Sequence, residues 1–439
     1  MAKKQLTIEE KLQAALVPVE EQPYKVPENW CWVKFSVTYD NVSSSRNKIK
    51  QKDYQNEGEF AIVDQGENLI GGYSNDEDMV YDGGLPVIIF GDHTRRIKYV
   101  NFPFIQGADG VKVLQPKDYI VPRYYYFCLQ SMEIPHMGYR RHFPILNKMG
   151  FPVAPIAEQS RIVARIESLF AKLDEAKEKI QEVLDGADLR RAAILHQAFT
   201  GKLTEKWRRE NSVSDDWDYK LLYQTDIQII DGDRGKNYPK KDEFTSSGYC
   251  VFLNAKNVTK NGFLFDEIQY ISKEKDESLR KGKLERGDIV LTTRGTVGNI
   301  AYYDEKIPFD NMRINSGMVI YRGGMDFYKP FLIWLYKSSY IINQIKKLKT
   351  GSAQPQLPIK VMNNLNICIP SIPEQQEIVR LLDDLLSREQ ATVNACEKAL
   401  NTIDTLKKSI LARAFRGELG TNDPSEAGAQ ELLQEILAS

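Results

Sequence analysis

A 46-residue segment occurs twice in this 439-residue chain, and the repeat limits the possible folds more than any other feature. Residues 158–203 and 374–419 align at a constant offset of 216 without a gap, with thirteen positions identical. The identities gather at the ends. Glu158-Gln159 and Ile162-Val163 match Glu374-Gln375 and Ile378-Val379. Ile194-Leu195, Ala198-Phe199, Gly201 and Leu203 match Ile410-Leu411, Ala414-Phe415, Gly417 and Leu419. Neither copy contains proline, and Gly186 is the one break in the first, so each copy reads as a long helix.

Apolar residues in the first copy step by three and four through Ile162, Ile166, Leu169, Leu173, Ala176, Ile180, Val183 and Ala187, a heptad seam. The same register in the second copy runs through Ile378, Leu382, Leu385, Glu389, Thr392, Cys396, Ala399, Ile403 and Ile410, with Glu389 and Thr392 interrupting it. Ser371 and Glu374 predict a capping box, with Pro373 in the first turn. Gly201 and Gly417 sit where a helix end calls for a left-handed residue. About 42 helical residues span roughly 63 Å. Two such helices can bury their seams only against each other or against a partner.

The segments between the repeats differ in kind. They are rich in Tyr, Phe and Gly, with short β-branched runs such as Leu85–Phe90 and Asp288–Thr293 that read as strands. They open alike, with Trp30 and Trp217 near their starts. The expected organisation is a helix within 1–26, capped by Thr7 and Glu10, and a globule at 27–151. A helical spacer follows at 152–210, then a second globule at 211–367. A second spacer occupies 368–419, and a tail at 420–439 frays or forms a loose last helix. The fold class is α+β: two α/β globules separated by two long helices.

Composition narrows the function. Hydrophobic residues make 42% and charged residues 27% of the chain, which suits globular domains. With 59 basic and 60 acidic residues, any basic surface must be local. Five scattered cysteines without a CxxC pair predict a reducing cytoplasm and neither a disulfide framework nor a structural zinc. An N-terminus without an apolar core predicts no secretory signal, and no apolar run reaches membrane-spanning length. No GxSxG elbow, phosphate-binding GxxxxGK[ST] loop or amino-methyltransferase motif is present. That pattern favours a binding scaffold. An enzyme with unrecognised motifs and a coiled-coil scaffold that never touches DNA are the alternatives.

Both globules carry basic and polar clusters fit for DNA. In the first, Arg46, Lys48, Lys50 and Lys52 alternate as they would on one strand face. Thr94, Arg95, Arg96 and Lys98 follow a strand-like run and are expected on a turn, and Tyr139, Arg140 and Arg141 form a third group. In the second, Arg234 and Lys236 make a basic loop, Arg294 follows a strand, and Lys346 and Lys347 precede Ser352, Gln354 and Gln356. Lysine and arginine neutralise phosphates, while Arg and Gln can bond base edges in pairs.

These residues resemble a known family, the specificity (S) subunits of type I restriction–modification enzymes. The resemblance is carried by the paired Ile-Pro-x-Ile-x-Glu-Gln-x-x-Ile-Val starts, the paired Ile-Leu-x-x-Ala-Phe-x-Gly-x-Leu ends, and segments 85–100 and 287–303, and it covers essentially the whole chain. The first start departs from it, with Ala154 and Ala157 where the second has Pro370 and Pro373. The resemblance implies two target-recognition domains that read a bipartite, asymmetric site on double-stranded DNA. It implies antiparallel spacer helices and an internal pseudo-two-fold. It also implies two modification subunits bringing S-adenosylmethionine for adenine-N6 methylation, and two restriction subunits using ATP and Mg. This chain would hold no active site, cofactor or metal.

Overall fold

The computed structural model describes residues 7–108, 110–138, 140–350 and 355–438. The chain divides into two units, residues 1–180 with 397–439, and residues 181–396. Both are mixed α/β.

In unit 1, Val87–Gly91 is wholly buried, as a β-branched run covered on both faces should be. It is an inner strand of an antiparallel sheet ordered Tyr39–Asn41, Val111–Pro116, Val87–Gly91, Ile97–Val100. A second sheet is ordered Lys48–Ile49, Phe104–Gly107, Phe60–Val63, Gly72–Ser74. The helix Pro122–Ser131 packs Tyr124, Tyr125 and Phe127 into the main core with Ile88, Phe90 and Leu114. That core also takes Ile162 and Ile166 from the first long helix, and Leu411, Ala414 and Phe415 from the second. Lys407 pairs with Asp174 at 2.5 Å, about three turns beyond Ile162, while Leu411 and Ala414 pack at the Ile162 level, so the two helices run in opposite directions here.

Unit 2 repeats the plan with other residues. Its antiparallel sheet is ordered Gln228–Asp231, Met318–Arg322, Ile289–Thr292, Ile300–Tyr302, and Ile289–Thr292 is again fully buried. Phe331, Leu332 and Leu335 of the helix Lys329–Lys337 pack with Ala198, Phe199, Ile378 and Leu382. Arg190 bonds Glu389 at 2.8 Å, and Thr204 bonds Glu374 at 2.6 Å, again with opposed directions.

The first repeat is two helices, Ile156–Asp185 and Ala187–Phe199, and the second is one, Ile372–Ala414. At the break, a Cβ on Gly186 would lie 2.6 Å from Nη1 of Arg190. The missing side chain lets Arg190 fold back to the carbonyl of Val183 and across to Glu389. Gly201 and Gly417 adopt φ of 76° and 74°, as helix ends require.

Among the expected seam positions, Ile162, Ile166, Ile378, Leu382 and Ile403 are buried. Leu169, Leu173, Ile180, Leu385 and Ile410 are half-buried. In the second helix Leu386 is buried and Val393 half-buried, while Thr392 is exposed, which corrects the expected register. A straight helix drifts from a strict heptad by about 20° per repeat, enough to exchange neighbouring positions.

The capping box at Ser371 and Glu374 is also corrected. The Glu374 carboxylate accepts from Thr204, Arg208 and Trp217. The box at Thr7 and Glu10 forms as the sequence predicts. The tail does not fray. It ends in the helix Ala429–Ala438, which buries Ala429 and Leu433 in the same core as Leu12 and Ala15.

Candidate nucleic-acid interface

Each unit is held to its long helix by the same two side chains. Glu158 accepts from the indole of Trp30 at 2.8 Å. Gln159 accepts from the Val121 amide and donates to the carbonyls of Tyr119 and Ala154. In unit 2, Glu374 accepts from the indole of Trp217 at 3.1 Å, and Gln375 bonds the Tyr328 amide and the carbonyls of Asp326 and Pro370. All four carboxylate and amide side chains are buried. Buried polar groups that are fully bonded fix one geometry, because any shift leaves a donor or acceptor unsatisfied.

A third anchor lies nine residues on. Arg123 donates to Glu167 at 2.8 Å, and Trp334 donates to Asp383 at 3.0 Å. Glu167 and Asp383 are equivalent positions of the repeat. The anchors are alike in both units, and the loops that each unit carries are not.

In unit 2 three expected site residues meet. A cleft of about 250 Å³ is lined by Arg234, Arg294 and Gln356 together with Asp231 and Thr293. Arg294 and Gln356 are backbone neighbours in an antiparallel bridge. The amide of Arg294 donates to the Gly317 carbonyl at 3.2 Å, so a fixed backbone carries an exposed side chain. Arg234 is oriented by Asp231 at 3.1 Å and by the Ser316 carbonyl. Its loop is fixed by Asp233, whose carboxylate accepts from the amides of Gly235 and Arg280. Burial alone would raise that carboxyl, but these backbone donors outweigh it and hold it below the usual range. Gly232 is needed there, since a Cβ would meet the Asn315 carbonyl oxygen at 2.1 Å.

Lys236 is exposed and lines a separate hollow with Asp233, Asn237 and Arg280. Lys346 and Lys347 lie near the end of the helix Ser339–Leu348 and face different hollows, Lys347 beside His196 and Phe199. Ser352 and Gln354 lie outside the described residues, as does Tyr139 of unit 1. The sequence did not single out Asp231 or the Ser316 carbonyl. They come from separate strands and loops, so no local pattern marks them.

In unit 1 the expected residues divide. Thr94 is exposed and bonds the Gln65 carbonyl at 2.7 Å. Arg96 is exposed and pairs loosely with Glu67. Arg140 and Arg141 are exposed. Arg95 takes a left-handed φ of 58° and donates to the Ile134 carbonyl at 2.8 Å, so its guanidinium props the loop before Arg140.

Lys98 is a correction. It lies in the strand Ile97–Val100, is 5% exposed, and bonds the Asn68 carbonyl at 2.5 Å and Asp64 at 3.4 Å. Burial lowers its pKa, and Asp64 only partly opposes the shift. It braces the sheet and cannot reach a phosphate. Arg46, Lys48 and Lys50 are exposed, but only Lys48 and Ile49 form strand, so the expected alternating strand is two residues long.

Two units with one anchoring scheme and two sets of basic loops define a duplicated recognition scaffold. Residues 218–400 match the family described as the type I restriction modification DNA specificity domain. The chain is 25% identical over 361 residues to the EcoBI specificity subunit of Escherichia coli, covering 77% of this chain and 74% of that one. It is 25% identical over 287 residues to the EcoKI specificity subunit of Escherichia coli (strain K12), covering 63% and 58%. Its fold matches the HsdS subunit from Thermoanaerobacter tengcongensis with a TM-score of 0.61 at 17% identity, over 91% of this chain and all of that one. Residues 218–400 thus carry the DNA specificity domain, and the chain as a whole is similar in sequence and fold to the specificity subunits of type I restriction–modification systems.

Proposed function

We propose that each unit reads one half of a split, asymmetric DNA site, and that the two long helices set the gap between the halves. The observation that carries this reading is the pairing of constant anchors with divergent loops. Trp30, Glu158 and Gln159 recur as Trp217, Glu374 and Gln375, while the loops of the first unit carry Arg96 and Arg141 and those of the second carry Arg234, Arg294 and Gln356. A palindrome reader needs one kind of reading surface. One chain with two kinds suits two unlike half-sites. Opposed helix directions within each unit support an antiparallel pair of spacer helices.

The chain is the non-catalytic, specificity-giving part of a complex that acts on DNA. On this reading two modification subunits dock on the helices and methylate adenine N6 on each strand with S-adenosylmethionine. Two restriction subunits, using ATP and Mg, join them. The chain holds no cofactor and works in the cytoplasm. Among the described residues no helix is long and apolar enough to cross a membrane.

The test is methylation mapping after co-expression with the modification subunit in a host lacking other adenine methyltransferases. Two unlike half-sites at a constant gap are expected. A palindrome, or one continuous site, would contradict the reading.

A further inference from the structure

The ridge made by Arg294 and Gln356 has a second, larger cleft on its other side, about 910 Å³ in volume. Gly295 and Pro355, the chain neighbours of the two ridge residues, line it, so the ridge is its rim. Five cations face it: Arg191, Lys260, Lys337, Lys346 and Lys349. They come from the long-helix repeat, a hairpin turn, two helices of the globule and, for Lys349, the residue just past the second of those helices. Among the described residues Asp188 is the one carboxylate in the wall.

This charge is left uncompensated. Three buried or half-buried arginines elsewhere in unit 2 are each matched, Arg208 by Glu374, Arg313 by Asp276 and Arg322 by Asp288. Among the described residues none of the five cleft cations pairs with a carboxylate. Arg191 donates to the neutral Gln390, and Lys337 lies 5.2 Å from the Trp334 ring centre. The Lys337 ammonium is disfavoured by burial first, and then by Arg191. A concave wall of one sign focuses its field on a counter-ion.

We infer that this cleft grips the phosphate backbone of the duplex whose base edges the Arg294–Gln356 ridge reads, and that Arg191 brings the long helix into the grip. The inference rests on the DNA-reading function proposed above. Three features point to a polyanion and away from a small phosphate. Lys346 and Lys349 are exposed at the rim. The cations are spread over four segments. The cleft also adjoins the reading ridge, where a strand backbone must pass if the ridge enters a groove.

The test is binding of the complex with its modification subunits to a random-sequence duplex and to a duplex carrying the mapped site, each over a salt series. Each lost phosphate contact lowers the slope of log affinity against log salt by about 0.9. The Lys346→Gln/Lys349→Gln double variant should therefore lose about 1.8 units on both duplexes, with the methylated sequence unchanged. Lys346→Arg/Lys349→Arg should keep the wild-type slope, which separates charge from folding. Lys256→Gln, which removes an exposed charge paired with Glu267 outside the cleft, should also keep it. A double-variant slope within half a unit of wild type overturns the inference, even if modification subunits dissociate and so assign the cleft to a protein partner. A changed methylated sequence overturns it too, because the cleft would then read bases. Absence of DNA binding by the wild-type complex would bring down the functional reading and this inference together.

Discussion

The indole of Trp217 donates to the Glu374 carboxylate at 3.1 Å, and that carboxylate also holds the buried guanidinium of Arg208 at 2.6 Å. In unit 1 Glu158 serves Trp30, Asn422 and Thr421. The same residue of the repeat thus carries a buried charge pair in one unit and a set of neutral donors in the other.

That difference sets the first prediction. Removing one partner of a buried pair strands the other charge, at about 3–5 kcal/mol. Asp215, 2.7 Å from Arg208, keeps Glu374→Ala near the lower end. Glu158→Ala orphans neutral donors and costs about 1–3 kcal/mol. Urea unfolding followed by tryptophan fluorescence should rank Glu374→Ala as the more damaging. The reverse order would mean that the charge pair is not what secures unit 2.

Acid sensitivity gives the second. Asp276 is buried, and burial alone would raise its carboxyl. Hydrogen bonds from Lys283 and Arg313 outweigh that and hold it below the usual 3.8. A depressed folded pKa stabilises above the unfolded value, and the contribution is lost as pH falls through the folded one. Unit 2 should therefore lose stability below about pH 4. Asp276→Asn should lower stability at neutral pH and flatten this acid limb in urea midpoints taken across the range. An unchanged limb would place the acid response elsewhere.

Lys98 and Arg96 form the third. Lys98→Ala leaves Asp64 partly buried beside an empty stem, at about 2–3 kcal/mol, and should not alter the salt slope of DNA binding. Arg96→Ala, exposed beside Glu67, should change stability by less than about 0.5 kcal/mol and lower the slope by about 0.9. Thermal unfolding and a salt series on both variants decide it.

Much of this was legible in the sequence. The repeat marked both long helices, because 3.6-residue periodicity and terminal glycines are local signals. Trp30 and Trp217 were visible as similar openings. Their bonds to Glu158 and Glu374 were not, since those partners lie more than a hundred residues away. The apparent capping box failed for the same reason: three distant donors outbid the local one for Glu374. Lys98 read as a turn residue because nothing local tells a lysine at a strand's inner face from one at its end. The tail read as loose because its apolar face is covered by Leu12 and Ala15, at the opposite end of the chain.

Base reading supplies the fourth prediction. A bidentate Gln–adenine or Arg–guanine contact discriminates by about 1–3 kcal/mol, or roughly 5- to 150-fold. Gln356→Ala and Arg294→Ala should each relax one half-site in methylation profiles and leave the other intact. Equal loss at every site would mean that the ridge only positions the backbone.

The central claim is that the units read and the helices space. Inserting one heptad into each long helix together should lengthen both by about 10 Å, close to three base pairs at roughly 3.4 Å each. Methylation mapping of that variant should return the wild-type half-sites, separated by about three more base pairs. Altered half-sites, or wild-type half-sites at the original gap, would contradict the account.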